Sequence, residues 1–422
     1  MELPLARALP WKLLSYQINK HRFTDQPASN TAIVEQPFPR EANGIQDDEI
    51  YDVAIAGGGL AGLSLSIQLA GKGYRVILFE KEQYPFHKVC GEYISYESWD
   101  FLQALGIDLD ALNVSHIKRL QVSAPNGKIL YHDLPLGGFG ISRYLLDHSL
   151  ARIAASSGVK IEENTRVNDI GFDGSGFSIT TTKNNYRSRI ACGSFGKRSN
   201  IDIKWKRRFV TIKSRLNNYV AVKYHVRTSF PADTIALHNF YNGYCGISKV
   251  EEGKYCLCYL TKSENLLRSD SSITVMEKNI LMKNPHLKEL FSHAEILYQS
   301  PLTISGISFD KKKQVERNVL MIGDAAGMIT PLCGNGMSMA LHGSKLAAEQ
   351  IDLFLQHRLT RPQMEQQYIR RWQHEFEKRL KMGRMIQRFF GHTWLTNSFV
   401  SVAKSSPRLV NFLVKRTHGA PF

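Results

Sequence analysis

The chain has 422 residues, 43% of them hydrophobic and 22% charged, a balance that supports packed domains and excludes wholesale disorder or a fibrous repeat. Lys and Arg number 54 against 38 Asp and Glu, a formal charge of +16, which points to an anionic partner. The six cysteines are too few and too scattered for a disulfide scaffold, and Cys256-Leu257-Cys258 has no second pair at zinc-ligand spacing, so reduced thiols and no metal are expected.

Residues 1–48 read as a disordered N-terminal extension, punctuated by Pro27, Pro37, Pro39 and Gly44, with a short amphipathic helix around Trp11 to Ile18 as its one regular pattern. Glu2, Pro4, Arg7 and Pro10 interrupt the stretch a signal peptide would need, and no apolar run approaches the ~20 residues that span a bilayer. A cytoplasmic location is expected.

Order begins at Ile50. Tyr51 to Ala56 is a short apolar strand of the kind buried in a parallel sheet, and it runs into Gly57-Gly58-Gly59-Leu60-Ala61-Gly62. A helix through Leu63, Leu65, Ile67 and Leu69 stops at Gly71 and Gly73, and a second strand covers Arg75 to Glu80. Gly57, Gly59 and Gly62 fit G-x-G-x-x-G, which gives a tight turn, a close backbone approach to a pyrophosphate, and close helix–strand packing. The helix start offers free N–H groups to phosphates. Glu80 stands where an acid accepts from ribose hydroxyls and repels a 2′-phosphate. The unit therefore reads as a dinucleotide site.

A helix is expected from Ser142-Arg143 to about Ser157, and a β pattern from about 206 to 302. A late strand, Asn318 to Ile322, delivers Gly323-Asp324, and Pro331 to Met337 forms a glycine loop before another helix. A carboxylate and a second helix start so far along the chain suit one long ligand held at both ends, and FAD fits better than NAD. In the helical tail, Met364, Tyr368, Trp372, Phe376 and Leu380 make a buried stripe, with Thr360 and Gln363 as a capping box.

Gly57 to Gly62 with Glu80, then Lys88-Val89-Cys90-Gly91-Glu92, then Arg143, then Gly323-Asp324 and the Pro-Leu-x-Gly-Asn-Gly loop resemble the FAD-dependent oxidoreductases of the p-hydroxybenzoate hydroxylase fold. Within them the geranylgeranyl reductase-like group matches best, over about residues 50–400. The resemblance implies an α/β chain with a Rossmann-type FAD-binding domain from 49–92, 141–205 and 310–350. A β-rich substrate domain, 93–140 and 206–309, is inserted, and a helical cap covers 351–422. It also implies cofactor contacts from Gly57, Gly59, Leu60, Ala61, Gly62, Glu80, Lys81, Lys88 and Arg143. Gly323, Asp324, Gly334, Asn335, Gly336 and Met337 would hold the other end. Phe195 stands where the hydroxylases carry the Asp of an Asp-Gly motif, so the electron donor is left open between NAD(P)H and a reduced protein. Tyr244, Gly246 and Ser248 fall in the substrate-cavity motif, with Gly246, Ser248 and Lys249 in place of its Trp, Phe and Pro.

Cys90 is the candidate catalytic residue, a thiol relaying a proton beside the flavin with His87 and Glu92 as modulators; a small side chain in a tight loop is the alternative. The basic run between 183 and 223 reads either as a solvated face or as a docking face for an acidic electron donor or carrier protein. No aromatic reading element accompanies it, which argues against nucleic acid. The aromatic and basic stretch from Met385 to Phe399 suits either a lid over the substrate or peripheral membrane contact. The expected reaction is reduction of C=C bonds in a hydrophobic substrate. The rivals are FAD-dependent monooxygenation, halogenation, and a non-catalytic flavoprotein that docks a partner.

Overall fold

Val53, Ile55 and their neighbours Ala54 and Ala56 pack on both faces of the first strand, so the sheet they seed needs cover on both sides. The computed structural model describes residues 50–212, 218–389 and 392–422; the expected extension and the helix around Trp11 to Ile18 lie outside them. β1 (Ile50–Ala56), α1 (Leu60–Ala70) and β2 (Val76–Phe79) form the first parallel crossover. After β3 (Tyr93–Ser95), β4 (Ser115–Ser123) and β5 (Ile129–Gly140), the chain returns through α2 (Arg143–Ser156) to β6 (Lys160–Glu162). The hairpin β7 (Val167–Phe172) and β8 (Phe177–Thr181) then leads into β9 (Asn185–Gly193).

A second sheet takes β10 (Tyr219–Arg227), β11 (Thr234–Phe240), β12 (Gly243–Lys249) and β13 (Tyr255–Lys262), with β14 (Glu295–Ile296) and β15 (Leu302–Ile307) at its end. β16 (Val315–Glu316) and β17 (Val319–Met321) go back to the first sheet. Its order is β16-β17-β9-β1-β2-β6, parallel from β17 to β6; the second runs β14-β10-β13-β12-β11-β4-β5-β3, antiparallel except for β11 beside β4. Four helices finish the chain: α3 (Gly336–Leu355), α4 (Arg361–Phe389), α5 (Thr393–Lys404) and α6 (Pro407–Thr417).

The β pattern expected from about 206 to 302 is interrupted. β13 ends at Lys262, and helices Ser263–Leu267, Ile273–Asn279 and Pro285–His293 intervene before β14 and β15. Ser272 and Asn284 cap two of them through side chains that accept from the Val275 and His286 amides, and Pro285 opens the last. Met276, Leu281, Leu287 and Leu290 from this stretch are buried with Val222, Val226 and Leu257 of the second sheet.

The α4 stripe behaves as its spacing predicts: Met364, Tyr368, Trp372, Phe376 and Leu380 are all buried. Tyr368 donates to the Met321 carbonyl at 2.7 Å, which fixes α4 to β17. At its start, the Gln363 Oε1 accepts from the Thr360 amide at 2.8 Å and also from the Thr360 hydroxyl at 3.0 Å, so only the returning half of a capping box forms. The Trp372 ring lies over Gly327, whose added Cβ would come within 2.6 Å of it. Trp372→Ala is expected to cost about 3–5 kcal/mol, read as a lower midpoint in urea unfolding with unchanged cofactor spectrum in the folded fraction.

Candidate active site

Both ends of the ligand site expected from the sequence open on one cavity of about 240 Å³. Gly59, Leu60 and Ala61 at the start of α1 line it, as do Arg143 at the start of α2, Gly323 and Asp324 after β17, and Gly334 to Met337 at the start of α3. Cys90, Tyr244, Gly246 and Ser248 complete the wall from the side of the second sheet. Neither α1 nor α3 carries a side-chain cap, so the amides of both first turns are left for a ligand.

Gly57, with φ of +112°, makes the turn, and a Cβ there would lie 2.3 Å from the Ser194 carbonyl oxygen. A Cβ on Gly62 would lie 2.1 Å from the Gly57 oxygen. These two glycines pack the turn and do not reach the cavity. Gly59 differs: its Cβ would meet nothing nearer than Arg143 Nη2 at 3.7 Å and Lys88 Nζ at 3.9 Å. The space before α1 is thus open, cationic at its rim and faced by free amides, which fits a pyrophosphate.

Asp147, buried, holds the two cations: Arg143 donates to both of its oxygens at 2.7 Å, and Lys88 approaches at 3.0 Å. Burial would raise the Asp147 carboxyl, but Arg143 and Lys88 outweigh it and hold it below its usual range. Glu80 accepts from the Gly58 amide at 3.1 Å and from the Lys81 and Glu82 amides at 2.8 and 3.2 Å. A carboxylate has about four acceptor sites, so about one remains for a ribose hydroxyl. The Lys81 side chain is exposed, beside Glu82 at 3.5 Å, and does not line the cavity.

The loop from Lys88 to Glu92 is pinned from below. Glu92, at φ +55°, is fully buried and accepts from the Arg143 amide at 2.8 Å, from His225 Nε2 at 2.6 Å and from the Lys223 ammonium. Burial pushes its carboxyl up, yet Lys223 and His225 prevail and hold it at about 2. Lys223 also donates to the Lys88 carbonyl at 3.2 Å, Ser248 Oγ to the Gly91 carbonyl at 3.2 Å, and Cys256 Sγ to the Cys90 carbonyl at 3.2 Å. The thiol of Cys90 is thereby presented to the cavity by a loop whose Lys88, Cys90 and Gly91 carbonyls are tied to the second sheet.

The basic run does not make one face. Lys223 is at the centre of the Glu92 cluster, and Arg207 is buried on Asp202 at 2.8 Å and on the Lys313 and Ala325 carbonyls. Lys197 lines the cavity; burial lowers its pKa, with Asp324 opposing. Lys213 and Arg215 lie outside the described residues. Of the others, Arg187, Arg189 and Lys204 pair with Asp173, Asp52 and Asp169. Sequence reasoning missed Lys197 as a wall residue; its place in the Gly193–Ser199 turn after a parallel strand was the signal for it.

Residues 50–193 match the family model of the FAD binding domain. The conditioned medium factor receptor 1 of Dictyostelium discoideum is 27% identical over 382 residues, 81% of this chain and 72% of that one. A digeranylgeranylglycerophospholipid reductase of Methanococcus vannielii is 23% identical over 357 residues, 78% of this chain and 84% of that one. Among solved structures, the flavin-dependent brominase Bmp2 superposes with a TM-score of 0.71 at 20% identity, covering 89% of this chain and 94% of that one. The fold is that of the p-hydroxybenzoate hydroxylases, and FAD is the cofactor that the open helix starts and their cationic rim accommodate.

Proposed function

We propose that this chain, an FAD-dependent oxidoreductase of the p-hydroxybenzoate hydroxylase fold, reduces carbon–carbon double bonds in an extended apolar substrate. The observation that carries the reading is the character of the space beyond the cofactor turns. There Ile235, Leu237, Leu260, Ile307 and Met328 form the wall. The space adjoins a second cavity of about 130 Å³, with Tyr93, Ile235, Leu237, Pro331 and Gly334 common to both. That second cavity is walled by Leu120, Val122, Leu130, Phe399, Val410 and Leu413 and, among the described residues, carries no Asp, Glu, Lys or Arg. Such a shape binds a hydrocarbon chain by excluding water and supplies few polar groups to orient anything else. The name of the Methanococcus relative fits a ligand of this chemistry.

FAD, held at the starts of α1 and α3, would supply hydride-transfer chemistry to one carbon of the double bond. The chain's residues hold the substrate dry, and the Cys90 thiol, on the cavity wall, gives a proton to the other carbon. Solvent returns the proton to the thiolate left behind. Cys90→Ala is expected to retain FAD at full occupancy and to lower the rate of reduction by about 10²–10⁴-fold, with Cys90→Ser intermediate; single-turnover reoxidation of the reduced enzyme measures both.

The reaction itself is tested by reducing the enzyme without oxygen and mixing it with a polyunsaturated isoprenoid lipid. Reoxidation with a gain of two hydrogens per double bond supports the reading. Reoxidation only by oxygen, with a hydroxylated or halogenated product, would mark a monooxygenase or halogenase instead.

A further inference from the structure

We propose that α5 and α6 form a docking surface for an anionic lipid bilayer, set directly over the apolar cavity. This stands apart from the reduction chemistry and holds for any substrate that partitions into lipid. From Lys378 to Phe422 the sequence has nine Lys or Arg and no Asp or Glu. The helices divide by face. Val400, Ala403 and Val410 are buried against Val122, Ala124 and Leu130 of the second sheet, and Phe399, Leu413 and Val414 line the cavity beneath.

The outer faces carry what a monomer does not need in water. Trp394 is 75% exposed, Val402 60% and Phe412 48%. On α5, Trp394, Ser398 and Val402 fall four residues apart on one exposed stripe, and on α6 Arg408, Phe412 and Arg416 do the same, with exposed Lys415 three residues after Phe412. The Arg416 guanidinium stands 5.1 Å over the Phe412 ring. An aromatic ring at one edge, aliphatic side chains between and cations around them match the headgroup boundary of an anionic membrane, where apolar groups enter and cations meet phosphates. An acidic protein would satisfy the cations but not the exposed Trp394 and Val402. No helix among the described residues is long and apolar enough to cross a bilayer, so contact by this surface is interfacial. The Asn335 side-chain amide donates to the Thr417 carbonyl at 3.1 Å, which ties the end of α6 to the start of α3 at the cofactor cavity.

The test uses the full chain loaded with FAD and vesicles of phosphatidylcholine with or without phosphatidylglycerol, read by co-sedimentation. Binding to the anionic vesicles on the order of a thousandfold tighter than to the neutral ones, and weakening with salt, is expected from about four surface cations. Arg408→Gln/Lys415→Gln/Arg416→Gln should remove the anionic preference. Trp394→Ser/Val402→Ser/Phe412→Ser should remove binding to both vesicles, with FAD absorbance and the unfolding midpoint unchanged. Brominated lipid should quench part of the wild-type fluorescence, and Trp394→Phe should abolish that quenching. Wild-type protein that stays in the supernatant with both vesicles overturns the proposal, as do variants that bind like wild type. Retention on polyglutamate without vesicle binding also overturns it, in favour of an acidic protein partner.

Discussion

Gly59→Val is expected to give folded, colourless protein, with FAD affinity lowered at least about a hundredfold, or roughly 2.7 kcal/mol. The nearest atoms to a Cβ at Gly59 are the movable ends of Arg143 and Lys88, 3.7 and 3.9 Å away. The valine methyls therefore clash with no backbone; they occupy the space before the α1 amides. Gly57→Ala serves as the contrast. Its φ of +112° and the Ser194 oxygen at 2.3 Å from the new Cβ make it a folding defect. Flavin absorbance after gel filtration, alongside far-UV circular dichroism, separates the two outcomes. A yellow Gly59→Val protein would remove the pyrophosphate from the α1 start.

Lys223→Met is expected to destabilise the fold by about 3–5 kcal/mol, because it strands Glu92 as an unpaired charge in the interior. Glu92→Gln should do comparable harm by stranding Lys223, and the double variant should lose less than the two singles together. Urea unfolding of the four proteins gives the coupling. The pH dependence has a definite sign. The Glu92 carboxyl, held at about 2 in the fold against an ordinary 4.5, adds stability that is complete above about 4.5 and is lost as pH falls toward 2. The gap between wild type and Glu92→Gln should therefore close across that window. If Lys223→Met proved neutral, the ion pair could not be what anchors the Cys90 loop.

What the sequence could reveal was local. β1, the glycine turn, α1 and β2 follow from apolar runs and glycine spacing within about thirty residues, and α4 from a stripe every four residues. The helices between Ser263 and His293 escaped because they are short and share few buried positions, so tertiary contact with the second sheet decides them. Their caps at Ser272 and Asn284 were nevertheless present as signals. The charges were legible in number and not in place. Lys223 and Arg207 look like surface residues in a basic run, and only partners far along the chain, Glu92 for one and the Ala325 carbonyl for the other, draw them inside. The same limit hid the continuity of the two cavities, since Tyr93, Leu237 and Pro331 meet through sheet pairing and loop packing.

The strand order also has a temporal side. β9 is flanked by β1 on one edge; on the other, β8 pairs with Asn185 to Ser188, and β17 pairs further along, with Cys192 beside Leu320 and Gly193 beside Met321. During synthesis at about 5–20 residues per second, that second edge emerges from the ribosome on the order of ten seconds after β9. Through that interval the Cys192–Gly193 end of the edge, beyond the stretch β8 covers, stands bare and open to pairing with another nascent chain. Slowing translation between Gly193 and Val319 should lower the soluble yield, and a holdase present during that window should restore it.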